Sequence, residues 1–423
     1  MSRDPTEDAT CDFDHQTAWS APTGANAVAV TTFLEPATKS LRSNADDYRG
    51  AGRLAELPHP LKRPFSAAVW GIRALFGIAS LVVLLAILAA IPLINFLVLG
   101  YLLEAEGRLA RTGKLRGAVP LLSLAPRLGA IALGVWLWLL PLRFLANAAA
   151  DARLIDPAGR ATARLDILTS TLAVLIALHI CFALARGGSF ACFFRPIKNV
   201  RWTIRQFRIG GYFDRAAAEI SAFVAGLRLR HHFSLGVRGF AGAFAWLVIP
   251  TALFAAAKRT EGVPILITVF GGILLIPVLA WLPFLQARFA AENRLRAMFE
   301  LRDVRRLFCR APVAWLLATA SVYVLALPLY LLKIVLLPQD AMWFLTLVFI
   351  VSIYPARLLT GWAYGRAVRR EKAAWFGVRW ACRGLVLPLL VFYIVLLFFT
   401  QFIGQHGKGV LFEHHAFLLP VPF

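Results

Sequence analysis

IPLINFLVLGYLLEAEGRLARTGKLRGAVPLLSLAPR, from Ile91 to Arg127, is the stretch that decides the architecture of this chain. It reads as an apolar run carrying a proline, a charged segment Glu104-Ala105-Glu106-Gly107-Arg108-Leu109, a basic turn, and a return led by Ala125-Pro126. The same order recurs as Ile276-Pro277, Glu292-Asn293-Arg294-Leu295 and Ala311-Pro312, displaced by 185 or 186 positions. Further matches are Pro141 with Pro328, Ala185-x-Gly187 with Ala363-x-Gly365, and Val200-Arg201-Trp202 with Val378-Arg379-Trp380. The last two carry an offset of 178, because the connection at Asp151–Asp166 shrinks in the second copy to little more than Pro338–Asp340. The reading is a 4+4 duplication with both copies entering from one side, related by an axis along the membrane normal.

Composition points the same way. Hydrophobic residues make up 59% of the 423, charged residues 16%, and mean hydropathy is +0.68; a soluble domain is roughly a quarter charged. The fold expected is all-α: a polytopic transmembrane helical bundle of about eight spans in a cell membrane. Lys and Arg number 45 against 23 Asp and Glu, an excess that the positive-inside bias of membrane loops explains. None of the usual nucleic-acid-binding signatures occurs, so the partners expected of the basic loops are anionic lipid headgroups. The five cysteines are scattered without a CxxC pair, which argues against a disulfide framework or a zinc centre.

In chain order, residues 1–60 form a polar tail with the composition of disorder and no secretory signal pattern. Residues 61–257 form the first membrane repeat, 263–403 the second, and 404–423 an apolar tail folding against the external surface. From Ala74 to Leu103 there are 30 residues without a charge, roughly 45 Å as one helix against a hydrocarbon core of about 30 Å. A kink or break is expected at Pro92, with Glu104–Arg116 lying on the membrane surface. Seven further spans are read at Pro126–Leu145, Leu165–Leu184, Leu235–Ala257, Pro264–Leu285, Pro312–Leu332, Ala341–Gly361 and Arg383–Ile403. The basic loops around Arg201, Arg305 and Arg369 are expected in the cytoplasm. Both termini then lie outside if the first run crosses once. The N-terminal flank with Lys62 and Arg63 lies inside if the run re-enters at Pro92. Within an insertion over 203–233, Ile220, Phe223, Val224 and Leu227 follow helical spacing, as in an amphipathic helix on the inner leaflet.

Chemistry is sparse. There is no GxxxxGK[ST], HExxH or GxSxG motif and no paired intramembrane carboxylates, so no catalytic residue, metal ligand or cofactor site is assigned. His231-His232 places no third ligand by spacing and reads as solvated or headgroup-facing; Glu413-His414-His415 is the more suggestive of a metal role, but its tail reads mainly as an apolar segment folding against the external surface. Arg143 and Arg357 sit where they can snorkel. The candidate polar membrane site comprises Asn95, beside the helix break, Tyr101 and Glu104 at its inner mouth, and His179 within the third span. Pro92 and Pro277 are expected to break equivalent helices, with Asn95 supplying a donor to the carbonyl freed at Pro92.

The segment Gly100-Tyr101-Leu102-Leu103-Glu104-Ala105-Glu106-Gly107-Arg108-Leu109-Ala110-Arg111-Thr112-Gly113 resembles the exit motif of uncharacterised bacterial multi-pass membrane proteins of the domain-of-unknown-function type. More loosely, it is similar to the membrane domain attached to some glycerophosphodiester phosphodiesterases. The resemblance implies a helical bundle in a bacterial inner membrane and carries over no active-site residue, because no phosphodiesterase domain accompanies it. Three functions remain in view: a non-enzymatic membrane scaffold or accessory protein, which the sequence favours, a transporter or lipid-handling permease with a site at the seam between the repeats, and, last, a membrane-embedded enzyme.

Overall fold

The computed structural model describes residues 64–210, 212–256, 263–332, 342–403 and 407–419. The polar tail read at residues 1–60 lies outside them. No strand occurs among the described residues. Twelve helices organise the fold: α1 (Pro64–Ala89), α2 (Asn95–Thr112), α3 (Ala125–Ile155), α4 (Arg160–Ala185), α5 (Pro196–Ile209), α6 (Tyr212–Leu227), α7 (Leu229–Phe254), α8 (Val263–Glu292), α9 (Leu301–Phe308), α10 (Pro312–Leu332), α11 (Met342–Arg369) and α12 (Phe376–Ile403). Short turns at Leu115–Ala118, Phe190–Phe193 and Leu295–Phe299 link them, and Gly407–Phe412 is a 3₁₀ turn. Eight helical runs are long and apolar enough to cross a membrane, each meeting the roughly 20-residue requirement. The protein is a multi-pass helical membrane protein.

The first apolar run is two helices. The chain breaks at residues 90–94, where Leu93 takes a positive φ of 68°, a backbone state costly for a branched side chain. Gly77 packs on Pro126 and Ser80 on Gly129, so α1 and α3 run the same way. Tyr101 lies beside Tyr354, Glu106 beside Arg357 and Gly361, and Ala110 beside Gly365, so α2 and α11 also run the same way. The loop after α2 meets the end of α11 where Gly113 abuts Arg369. Helices α1 and α2 therefore form a hairpin that starts and ends on one face. That face also carries Arg201, Arg305 and Arg370, and is called the basic face below. The hairpin has the form of the re-entrant option for the first run, with Pro64 on the basic face. The hairpin turn is apolar and open, with Ile91 and Leu93 exposed.

Helix α2 was expected on the membrane surface from Glu104 onward; instead it is the hub of the bundle, packed between α7, α8 and α11. Small residues make this possible. A Cβ at Gly100 would strike the carbonyl oxygen of His232, and one at Gly236 that of Phe96, so α2 and α7 touch backbone to backbone, the close approach typical of membrane helices. Gly361 and Gly365 do the same for α11 against Glu106 and Ala110. Around this hub, α8, α10, α11 and α12 share the main core, including Leu279, Tyr323, Ile350 and Tyr393. Helices α3 and α4 pack on each other, and α3 reaches the bundle through α1.

Pro277 does not break its helix. Helix α8 runs unbroken from Val263 to Glu292 through Pro277 and Pro283; inside a membrane bundle, local adjustment accommodates such prolines. In the insertion, α6 carries Ile220 and Val224 exposed, as an interfacial amphipathic helix does.

Candidate functional site

The candidate site is built on α2. With about 100° between successive residues, Glu104 and Glu106 point to nearly opposite sides of the helix and meet different neighbours. Glu104 turns toward α7 and the basic face. It accepts from Arg108 Nε at 2.8 Å and lies 3.2 Å from His231 Nε2 and 3.6 Å from Arg111 Nη2. Arg111 in turn donates to the carbonyls of Ala290 and Ala291 at the end of α8. This first centre neutralises its carboxylate at the rim of the bundle.

Glu106 turns inward. Its Oε2 accepts from Arg357 Nη1 of α11 at 3.1 Å, with the two side chains 0% and 4% exposed. The same guanidinium donates to Gln286 Oε1 of α8 at 2.8 Å. Gln286 Nε2 donates to the carbonyl oxygen of Phe417 at 2.9 Å, and Arg357 Nη2 reaches that oxygen at 3.3 Å. Arg357 was expected to snorkel; it is held in the core because a carboxylate, an amide and a backbone carbonyl meet it there. An ion pair this deep exacts a desolvation cost of several kcal/mol per ion. Glu106 Oε1 and Arg357 Nε remain without a protein partner. Neighbouring His232 is likewise buried with neither ring nitrogen paired, where a headgroup-facing side chain was expected.

Phe417 arrives from the other side of the membrane. Lys408 donates to the carbonyl of Ala255 just past α7. His414 Nε2 lies 2.7 Å from Thr251 Oγ1, and His415 packs against Tyr330 and Phe349. The segment 407–419 thus descends from the face opposite the basic one into the bundle, with His414, His415 and Phe417 all buried. It was expected to fold against the external surface. Its aromatic and aliphatic side chains instead complete the core between α8, α10 and α11. Among the described residues no group of side chains could hold a metal ion.

Of the four residues singled out in the sequence, the structure brings two together. Tyr101 lies one turn before Glu104, donates to the carbonyl of Pro120 at 2.9 Å and sits 3.2 Å from the Tyr354 hydroxyl. Asn95 is buried at the start of α2, more than two turns from Glu104, with Oδ1 unpaired. The expected repair at the break is made differently, because the Leu88 carbonyl accepts from the N–H of Ile91. His179 belongs elsewhere: its Nε2 lies 2.9 Å from the carbonyl of Phe193 and its ring packs on Trp138, tying α4 to α3. No family model, curated protein or solved structure matches this chain.

Sequence reasoning missed Glu106, Gln286, Arg357 and the C-terminal segment. A signal for the pair was present. Arg357 stands alone in an apolar span, and an intramembrane cation calls for a carboxylate; Glu104-x-Glu106 directly follows the 30-residue charge-free run. No spacing rule places Phe417 beside them, since its contribution is a backbone carbonyl.

Proposed function

We propose that the protein is a permease for a small polar solute, with Glu106, Arg357 and Gln286 as the core of its solute site. The observation that carries this reading is the buried Glu106–Arg357 pair with hydrogen-bonding atoms left over. A scaffold needs only a packed seam, and an apolar seam is no less stable than a buried ion pair of the same volume. Ionisable groups in the interior of a membrane bundle mark solute and ion pathways far more often than plain contacts. The pair and Gln286 also join three helices, α2, α8 and α11. The Phe417 carbonyl occupies the donors of Arg357 and Gln286, as a carboxylate, phosphate or carbonyl oxygen of a solute would. The arrangement then corresponds to a closed state, with the C-terminal segment seated over the site.

The test uses the purified protein in detergent and a panel of carboxylates, amino acids and phosphate esters, with thermal unfolding as the readout. At least one solute class is expected to stabilise the protein, and more strongly once residues 407–423 are removed. Glu106→Leu combined with Arg357→Met should keep the fold and abolish that response. If no solute stabilises either the full chain or the truncated one, the reading returns to a scaffold.

A further inference from the structure

A cavity lies apart from the α2 cluster, between α8, α10 and α12. It encloses about 230 Å³ and is walled by Ile276, Pro277 and Ala280 of α8, by Trp315 and Thr319 of α10, and by a stripe of α12 from Arg383 to Leu390. Trp315 Nε1 and Thr319 Oγ1, on side chains 2% and 1% exposed, are buried without any hydrogen-bond partner. Packed interiors rarely leave voids larger than a water, and buried donors are almost always paired. The two unpaired atoms are closed off behind that wall, so what an occupant meets is Arg383 and the apolar lining.

The chemistry of that occupant follows from how the wall is graded. Arg383 lies two turns into α12 from the basic face; its guanidinium rests over Phe308 and Trp380, at 5.3 and 5.8 Å from the ring centroids. Among the described residues it has no carboxylate partner. Beyond it the wall turns apolar, and Leu390 lies about 10 Å deeper along the helix. Leu387, half exposed, lines the cavity too, so the cavity opens sideways onto the surface where acyl chains lie. A permanent cation at the interface end and an apolar slot opening laterally beyond it match a phosphate and a hydrocarbon chain in that order. The volume is below that of a drug-sized pocket and takes only part of one chain, the rest lying along the surface outside.

We propose that this cavity is a binding site for an anionic phospholipid, its phosphate on Arg383 and part of one acyl chain between α8 and α12.

The experiment uses the full chain, delipidated in a maltoside detergent. It is titrated with dioleoyl phosphatidylglycerol, with dioleoyl phosphatidylcholine, or with inorganic phosphate, and thermal unfolding and native mass spectrometry are read together. Phosphatidylglycerol should raise the unfolding temperature saturably and appear as a bound mass, phosphatidylcholine should do so much more weakly, and phosphate should do nothing. Arg383→Gln should raise the half-saturating lipid fraction about tenfold, the loss expected from one charged hydrogen bond. Arg370→Gln, an equally basic position on the same face, should leave it unchanged. Ala280→Leu, which fills the slot, should remove the bound mass. Equal effects of Arg383→Gln and Arg370→Gln would reduce the site to diffuse surface charge and overturn the proposal. So would equal binding of the two lipids, or stabilisation by phosphate alone. Should Ala280→Leu not fold, the Arg383→Gln and Arg370→Gln pair decides the question by itself.

Discussion

Helices α2 and α8 share a short local pattern and put it to opposite uses. Each follows or contains an Ile-Pro step and ends in a charged segment, yet the chain breaks ahead of α2 and runs straight through α8. The charges of α8 stay at the rim, where Arg288 gathers Glu292, Glu300 and Asp303. Those of α2 enter the core, where Glu106 meets Arg357. The same contrast extends to the helices that follow. Helices α3 and α4 expose most of their residues, whereas α10 and α11 are the most buried of the spans. Val200-Arg201-Trp202 falls on the surface helix α5, and Val378-Arg379-Trp380 opens the spanning helix α12. A motif therefore fixes the local chain, while the neighbours decide whether its charges are solvated or buried. A proline breaks a membrane helix only where the chain can reverse.

The largest effect expected from this contrast is an all-or-none one. A cysteine at Phe65, at the start of α1, should behave as one at Arg305 does, and a cysteine at Gly409 in the opposite way, toward an impermeant thiol reagent in intact cells. A single crossing by the first apolar run would instead set Phe65 against Arg305. With the basic face in the cytoplasm, Gly409 is the position that reacts.

Next comes the ion pair. Glu106→Ala or Arg357→Ala leaves a buried charge without its partner and should cost about 3–5 kcal/mol in reversible unfolding from mixed micelles. Its counterpart on α8, Glu292→Ala, should cost no more than about 1 kcal/mol, because the pair is partly solvated and Arg288 keeps other carboxylates. Joining Glu106→Leu to Arg357→Met should recover most of the loss. Equal costs at Glu106 and Glu292 would show that burial does not separate the two helices.

Glycine contacts give a smaller difference. Gly100→Ala drives a methyl group into the backbone of α7 at His232 and should destabilise by about 1–3 kcal/mol, the usual range for overpacking. A Cβ added at Gly272 of α8 would lie 3.2 Å from the ring of Phe254, a side chain able to give. There, Gly272→Ala should change stability by less than about 1 kcal/mol, since the helix propensity of alanine offsets the crowding. A mild effect at Gly100 would mean that α2 is not gripped as tightly as its contacts indicate.

Much of the fold was legible because its signals are local. Long apolar runs give the spans, and the span read at Pro312–Leu332 coincides with its helix. The spacing of Ile220, Phe223 and Val224 gives the surface helix, and basic loops gather on one face. The site was only half legible. Tyr101 and Glu104 were drawn in by their place beside the break, whereas Glu106 reads as solvated in any window that treats a charged run as surface. Its burial depends on Gly361 and Gly365, 255 or more residues away in the chain, and on a guanidinium in a different helix. His179 was misleading for a related reason. A buried imidazole needs one acceptor, and Phe193, 14 residues on, supplies it locally.

Asn95 gives the smallest and sharpest test of the contrast between the two helices. At the equivalent offset α8 carries Ala280, so Asn95→Ala makes the start of α2 like its counterpart. Were the side chain needed to hold the break together, its loss would cost on the order of 1 kcal/mol, the scale of polar contacts between membrane helices. The structure removes that need. The Leu88 carbonyl already accepts from Ile91, and the N–H of Asn95 itself donates to the carbonyl of Ile91 at 3.1 Å, so the turn is closed by backbone alone. What the side chain adds is a buried carbonyl oxygen with no partner, and an unmet acceptor weighs against the folded state. Alanine is also the better helix former. Asn95→Ala should therefore leave stability unchanged or raise it by about 0.5–1 kcal/mol, measured as for the ion-pair variants. A loss of about 1 kcal/mol or more would place Asn95 in a hydrogen bond that holds the hairpin closed, and the break ahead of α2 would then depend on its side chain and not on the backbone around Pro92.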